Sequence, residues 1–133
     1  MSIENSSVLV DGTIAASAGT ATPLLVLGNS LDTVKAQLDQ DLDFLNSIAI
    51  EFSTKVPKVS NGAPNGYTKR RKRVKVVIPI TLANGNVSSR TIILEHASDV
   101  ESTPADIQSD LVLGAQLLSD SDFSDFWKQQ SLA

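Results

Sequence analysis

The sequence predicts an α+β fold: an N-terminal β-hairpin, a meandering antiparallel sheet of about five strands, and two α-helices at the C-terminal end. Two observations carry the sheet. Apolar and polar side chains alternate with a period of two over Ile48–Phe52, Val74–Ile80 and Ile92–His96, and turn pairs such as Asn84-Gly85 separate the runs. A third observation carries the helices: the period changes at Thr103-Pro104-Ala105-Asp106, where a cap, a proline and an acid stand in the order a helix start prefers.

Ser7-Val8-Leu9-Val10 before Asp11-Gly12 reads as a strand entering a tight turn, the first arm of a hairpin. After a small polar stretch, Pro23-Leu24-Leu25-Val26-Leu27 gives a second strand, which Gly28-Asn29 should stop. Residues 31 to 45 fit two templates. Leu31, Val34, Leu38, Leu42 and Leu45 make a helical stripe, while Val34, Ala36 and Leu38 also alternate with Thr33, Lys35 and Gln37. From Ile48 a half-buried strand is clear, with Ile50 and Phe52 on one side and Glu51, Ser53 and Lys55 on the other. Pro57, Asn61-Gly62, Pro64 and Asn65-Gly66 then demand a long loop. Tyr67 to Leu82 resumes as a strand with Val74, Val76, Ile78 and Ile80 on one face and Arg71, Arg73 and Lys75 on the other. Asn84-Gly85 turns the chain into a partner strand over Val87–Ala97. The first helix runs to about Leu118 on a stripe of Ile107, Leu111, Ala115 and Leu118, widened by Val112 and Leu117. Ser121 is positioned to cap a second helix carrying Phe123, Phe126 and Trp127, with fraying from Gln129.

At 133 residues the chain is expected to form a single domain, 1–133, with no room for a separate catalytic one. Hydrophobic residues make up 41% and charged residues 20%, a globular composition. Met1 to Val10 lacks the basic and apolar regions of a signal peptide, and no run approaches a membrane span, so a cytosolic origin without membrane contact is expected. The absence of cysteine excludes disulfides and thiolate metal sites.

The net charge of −4 conceals a division. Residues 55 to 90 hold nine of the eleven basic side chains and no Asp or Glu. Such segregation marks a polyanion partner, because each neutralised phosphate releases condensed counterions; its bland reading is a solvated charge run. A localisation peptide would be flexible, whereas Lys69-Arg70-Arg71-Lys72-Arg73 continues unbroken into an alternating strand. Candidate phosphate contacts in this segment are Lys55, Lys58, Lys69, Arg71, Arg73, Lys75 and Arg90, with Ser53 and Thr91 as polar neighbours able to help form base pockets.

Enzymatic chemistry finds little footing. His96 is the one histidine and reads as a satisfied sheet residue. Asp39, Asp41 and Asp43 resemble the opening of a calcium loop, but Phe44 occupies its glycine position and Ile50 its twelfth. No phosphate-cradling glycine motif is present. No enzyme, metal or cofactor is expected. Ile107, Leu111, Leu118, Phe123, Phe126 and Trp127 are candidates for helix packing, either as ordinary core or across a partner subunit. An open sheet with two terminal helices buries its apolar face poorly alone, which favours the partner.

The order of these parts resembles the coat protein of the small single-stranded RNA bacteriophages, the leviviruses. So do the segments Lys55-Val56-Pro57-Lys58-Val59-Ser60 and Ala63-Pro64-Asn65-Gly66-Tyr67-Thr68, the basic strand ending at Pro79, and the tail from Leu117-Leu118-Ser119-Asp120-Ser121-Asp122-Phe123 through Phe126-Trp127 to Ser131-Leu132-Ala133. Residues 48 to 133 carry most of the likeness. It implies an interlocked homodimer with a continuous ten-stranded sheet, helices crossing onto the partner, and the other sheet face lining a shell interior against genomic RNA. It places Ser53, Lys55, Arg73, Lys75 and Thr91 at inward strand positions, with Glu51 an acidic departure, and favours a strand over Val34–Leu38 followed by a turn at Asp39–Asp43. The expected function is therefore a structural coat protein that dimerises, assembles into an icosahedral shell in the bacterial host cytoplasm and packages single-stranded RNA in the virion. An operator hairpin bound as a translational repressor is a further candidate partner. The alternative is a dimeric β-rich nucleic-acid-binding regulator that forms no shell.

Overall fold

A computed structural model describes residues 7–8, 18–39 and 46–130. They fall into two compact units, one spanning Gly19–Val100 and the other drawn from Met1–Ala18 and Glu101–Ala133.

The first unit is a five-stranded sheet whose spatial order equals its chain order: β1 (Leu24–Asn29), β2 (Thr33–Leu38), β3 (Ala49–Lys55), β4 (Arg70–Thr81) and β5 (Val87–Ser98). Every neighbouring pair is antiparallel, so the meander holds. The ambiguous segment is a strand over Thr33–Leu38. Gly28-Asn29 does not stop β1: the register slips by one between Val26 and Gly28, and this bulge carries the strand on to Asn29. The N-terminal hairpin turn at Asp11-Gly12 and the turn at Asp39–Asp43 lie outside the described residues, apart from Asp39 itself.

The β4–β5 ladder is twelve pairs long, from Arg70↔Ser98 to Thr81↔Val87. It closes through a turn in which Gly85 N–H donates to the Leu82 carbonyl and Leu82 N–H to the Asn86 carbonyl. Of Asn84 and Gly85 only the glycine adopts positive φ, +86°, so one left-handed residue rather than two makes the turn. The loop between β3 and β4 is itself ordered. Val59 bridges Tyr67, Thr68 N–H donates to the Lys58 carbonyl, and Lys58 N–H donates to Thr68 Oγ1 at 2.9 Å. Asn65 Nδ2 then ties it to Asp99 Oδ1 at 2.8 Å, beyond the end of β5.

The second unit holds α1 (Pro104–Ser119), a 3₁₀ turn (Ser121–Phe123) and α2 (Ser124–Gln129). The predicted start of α1 forms a complete capping box. Thr103 Oγ1 accepts from Asp106 N–H at 3.2 Å and Asp106 Oδ2 accepts from Thr103 N–H at 3.0 Å, with Pro104 opening the helix. Ser121 does not cap the second helix. Asp120 is the cap, its carboxylate accepting from Asp122 N–H at 2.9 Å, and it caps the 3₁₀ turn that precedes α2. Among the described residues the buried apolar side chains are Ala36, Val112 and Phe123. Val112 is the buried member of α1, whereas Leu111 and Leu118 of the expected stripe are each about half exposed.

Candidate nucleic-acid interface

Side chains on successive strand positions point to opposite faces, so the pairing register assigns each residue to a face. Lys35, Glu51, Lys75 and Ile93 form one row across β2 to β5. The next row is Thr33, Ser53, Arg73 and Glu95, and the third is Lys55, Arg71 and Ala97. On the other side of the first row stand Gln37, Ala49, Val77 and Thr91. One face therefore gathers Ser53, Lys55, Arg71, Arg73, Lys75 and Thr91 from three strands. Its opposite displays Val74, Val76, Ile78 and Ile80 beside Ile50, Phe52, Ile92 and Leu94.

Alternation also divides the basic run. Arg70 and Lys72 sit on the apolar side, where Arg70 Nη2 donates to the Asp99 carbonyl at 3.4 Å and Lys72 Nζ lies 3.4 Å from Ser98 Oγ. Arg90 pairs with Ile78 and belongs to that side too, apart from the Arg71–Lys75 row. Sequence position alone grouped it with the other cations; the register of the β4–β5 ladder separates it.

Two carboxylates interrupt the polar face. Glu51 stands between Lys35 and Lys75, and Glu95 makes an ion pair with Arg71 at 3.3 Å between half-exposed side chains. Such a pair is worth little in water. Lys35 is a member of this face that the candidate set omitted. Its signal was the alternation with Val34 and Ala36, which a competing helical stripe masked.

Lys58 and Lys69 lie off the strands, at the root of the β3–β4 loop. With Lys55 and Arg71 they line an open cleft of about 690 Å³, shared with Asp32, Thr54 and Thr68. In the second unit, Trp127 Nε1 donates to the Leu117 carbonyl at 2.7 Å and its ring meets Phe126 edge to face at 4.9 Å, yet the indole stays about half exposed. Phe123 is buried, and Ile107 is half-buried.

No protein-family model matches the sequence, and no curated protein does. Solved structures do. A chain of the virus-like particle of bacteriophage GQ-907 is 27% identical and superposes with a TM-score of 0.87, over 99% of this chain and 100% of that one. Chains from the virus-like particles of bacteriophage AVE019 and Wenzhou levi-like virus 4 share the fold at lower identity, 10% and 14%. Their TM-scores are 0.66 and 0.65; the first covers 84% of this chain and 87% of that chain, the second 90% and 83%. With a five-stranded antiparallel meander, two C-terminal helices and this likeness over nearly its whole length, the chain shares the fold of these phage particle chains and is similar to a levivirus-type coat protein.

Proposed function

We propose that this chain is a non-enzymatic capsid subunit that dimerises, builds an icosahedral shell and holds single-stranded RNA against the basic face of its sheet. The full-length likeness to a particle-forming phage protein carries the shell; the one-sided cationic face supports the RNA. Both units belong to one coat domain in this reading, and the particle assembles in the host cytoplasm.

Dimerisation has its own physical support. Leu111, Leu113, Leu117, Leu118 and Trp127 are exposed in the single chain, as are Ile92 and Leu94 on the apolar sheet face. Burying such groups yields about 25 cal/mol per Å². The two sheet edges also differ. β1 has six residues and a bulge, a form that discourages pairing, whereas β5 offers twelve residues in unbroken register with β4. Two β5 edges paired antiparallel give the ten-stranded sheet, with Ile107, Leu111, Leu118, Phe123, Phe126 and Trp127 packing the helices across subunits. RNA then meets Ser53, Lys55, Arg71, Arg73, Lys75 and Thr91 on the face, with Lys58 and Lys69 at its margin. Arg90, on the apolar side, is left out of this contact set. An operator hairpin is the finer form of the same contact.

Electron microscopy of purified recombinant protein, with the ratio of nucleic-acid to protein absorbance on the same fraction, tests this. Uniform RNA-containing spheres are expected. Nucleic-acid-free dimers across several salt concentrations would overturn it in favour of a regulator that forms no shell.

A further inference from the structure

The root of the β3–β4 loop collects more positive charge than its own side chains neutralise. Lys55 and Arg71 are cross-strand partners, and the Lys58–Thr68 hydrogen bonds fold Lys58 and Lys69 back onto the same cleft. Among the described residues, Asp32 is the one carboxylate lining it. That carboxylate is taken up by its own turn, accepting from Thr33 Oγ1 at 3.1 Å and Ser30 Oγ at 3.4 Å. Arg71 is shared with Glu95. Among the described residues, the ammonium groups of Lys55, Lys58 and Lys69 make no hydrogen bond or ion pair. Like charges held together on an ordered loop repel, and a cleft lined by one sign of charge concentrates counter-ions. At about 690 Å³ it has the capacity of a small-ligand site.

We propose that this cleft is a discrete anion site that takes closely spaced phosphates, independently of base identity, and that it works apart from the Arg73–Lys75 strand face. It rests on the RNA reading only for the source of those phosphates, which is either the RNA backbone or a free polyphosphate. Lysine ammonium groups suit this task as point charges, while the planar Arg71 adds a two-pronged donor.

Isothermal titration of the nucleic-acid-free full chain with sodium tripolyphosphate, and separately with a ten-nucleotide oligouridine over a salt series, tests the proposal. The Lys58→Gln/Lys69→Gln chain should bind tripolyphosphate at least about tenfold more weakly. Its salt slope for oligouridine should fall by about 1.4, roughly 0.7 per lost phosphate contact. Arg73→Gln/Lys75→Gln should lower the oligouridine slope similarly while leaving tripolyphosphate affinity unchanged. Loss of tripolyphosphate binding with an unchanged oligouridine slope in the loop variant supports the site with a free polyphosphate as its source. Wild-type chain that ignores tripolyphosphate, or a loop variant that binds it as wild type does, overturns the proposal. If neither variant alters oligouridine binding, the RNA reading falls, and tripolyphosphate still decides the cleft.

Discussion

Glu51→Gln should tighten RNA binding while weakening the free protein. Glu51 faces the same side as Lys35 and Lys75, its neighbours in register on β2 and β4. A phosphate resting on those lysines would lie about 7 Å from the carboxylate, given strand spacings of about 4.8 Å and rows about 7 Å apart. Repulsion at that distance is about 0.6 kcal/mol in bulk water and about 1.2 kcal/mol at half that dielectric constant. A Debye length of about 10 Å at 0.1 M salt halves both figures, leaving about a two- to threefold gain in affinity. The same substitution removes two cross-strand opposite-charge pairs, each worth about 0.2 to 1 kcal/mol, so the melting temperature of RNA-free protein should fall by a few degrees. Fluorescence anisotropy with labelled oligouridine between 0.05 and about 0.3 M salt reads the first effect, the gain shrinking as salt screens it. Affinity that is unchanged or lower at the low-salt end would refute the placement of RNA on this face. Arg90→Gln is the matched control: it lies on the opposite side, so the salt slope should not move.

Thr103→Ala removes the side chain that accepts from Asp106 N–H, and should cost about 1 kcal/mol in chemical denaturation. Asn65→Ala cuts the 2.8 Å bond that anchors the β3–β4 loop to Asp99; with a charged, part-buried acceptor the loss is about 1 to 2 kcal/mol, and trypsin cleavage at Lys58 and Lys69 should accelerate. Gly85→Ala meets no atom within 4 Å, so its cost is torsional: about 1 to 2 kcal/mol for holding φ near +86°, read as a lower melting temperature. Trp127→Ala loses a 2.7 Å hydrogen bond and an edge-to-face ring contact, about 1 to 3 kcal/mol within one chain. A larger loss of particles than of monomer stability, seen by electron microscopy, is expected if a second copy covers the exposed half of the indole.

Strand positions from β3 to β5 were legible because alternation, hairpin glycines and loop breakers agreed over Ile48–Ala97. The start of α1 was legible to the residue, because a capping box satisfies backbone donors through side chains that the sequence names. The departures arise where two local solutions compete. At Asp120-Ser121 both residues are good caps, and it is the carboxylate of Asp120 that accepts from Asp122 N–H, capping a 3₁₀ turn ahead of α2. At Gly28-Asn29 the stop signal yielded to a bulge, since pairing with Lys35 and Val34 still satisfied the backbone. Helix stripes read from spacing miss which flank is covered. Val112, counted only as a widening residue, is the one buried, and Leu111 is left facing outward.

The charge segment shows how far a linear reading goes and why it stops. Five consecutive basic residues from Lys69 to Arg73 look like one site, but a strand cannot present neighbours on the same face. Arg71 and Arg73 join Lys75 on the polar side; Arg70 and Lys72 turn to the other and are used up on the Asp99 carbonyl and Ser98 Oγ at the end of the β4–β5 ladder. Two of the five are thus committed to closing the sheet. Of the cations that remain on the polar face of the strands, Lys35, Lys55, Arg71, Arg73 and Lys75, two carboxylates offset part, leaving the Lys35, Arg73 and Lys75 rows only shallowly positive beside the denser charge at the root of the β3–β4 loop. In the proposed role, a surface accepting many different stretches of one long RNA would gain from that shallowness, because contacts that are individually weak and salt-sensitive can exchange while subunits are still being added. Replacing Glu51 and Glu95 together should therefore bind short RNA more tightly yet raise the share of malformed particles, and an unchanged particle distribution would show that the carboxylates have no such moderating role.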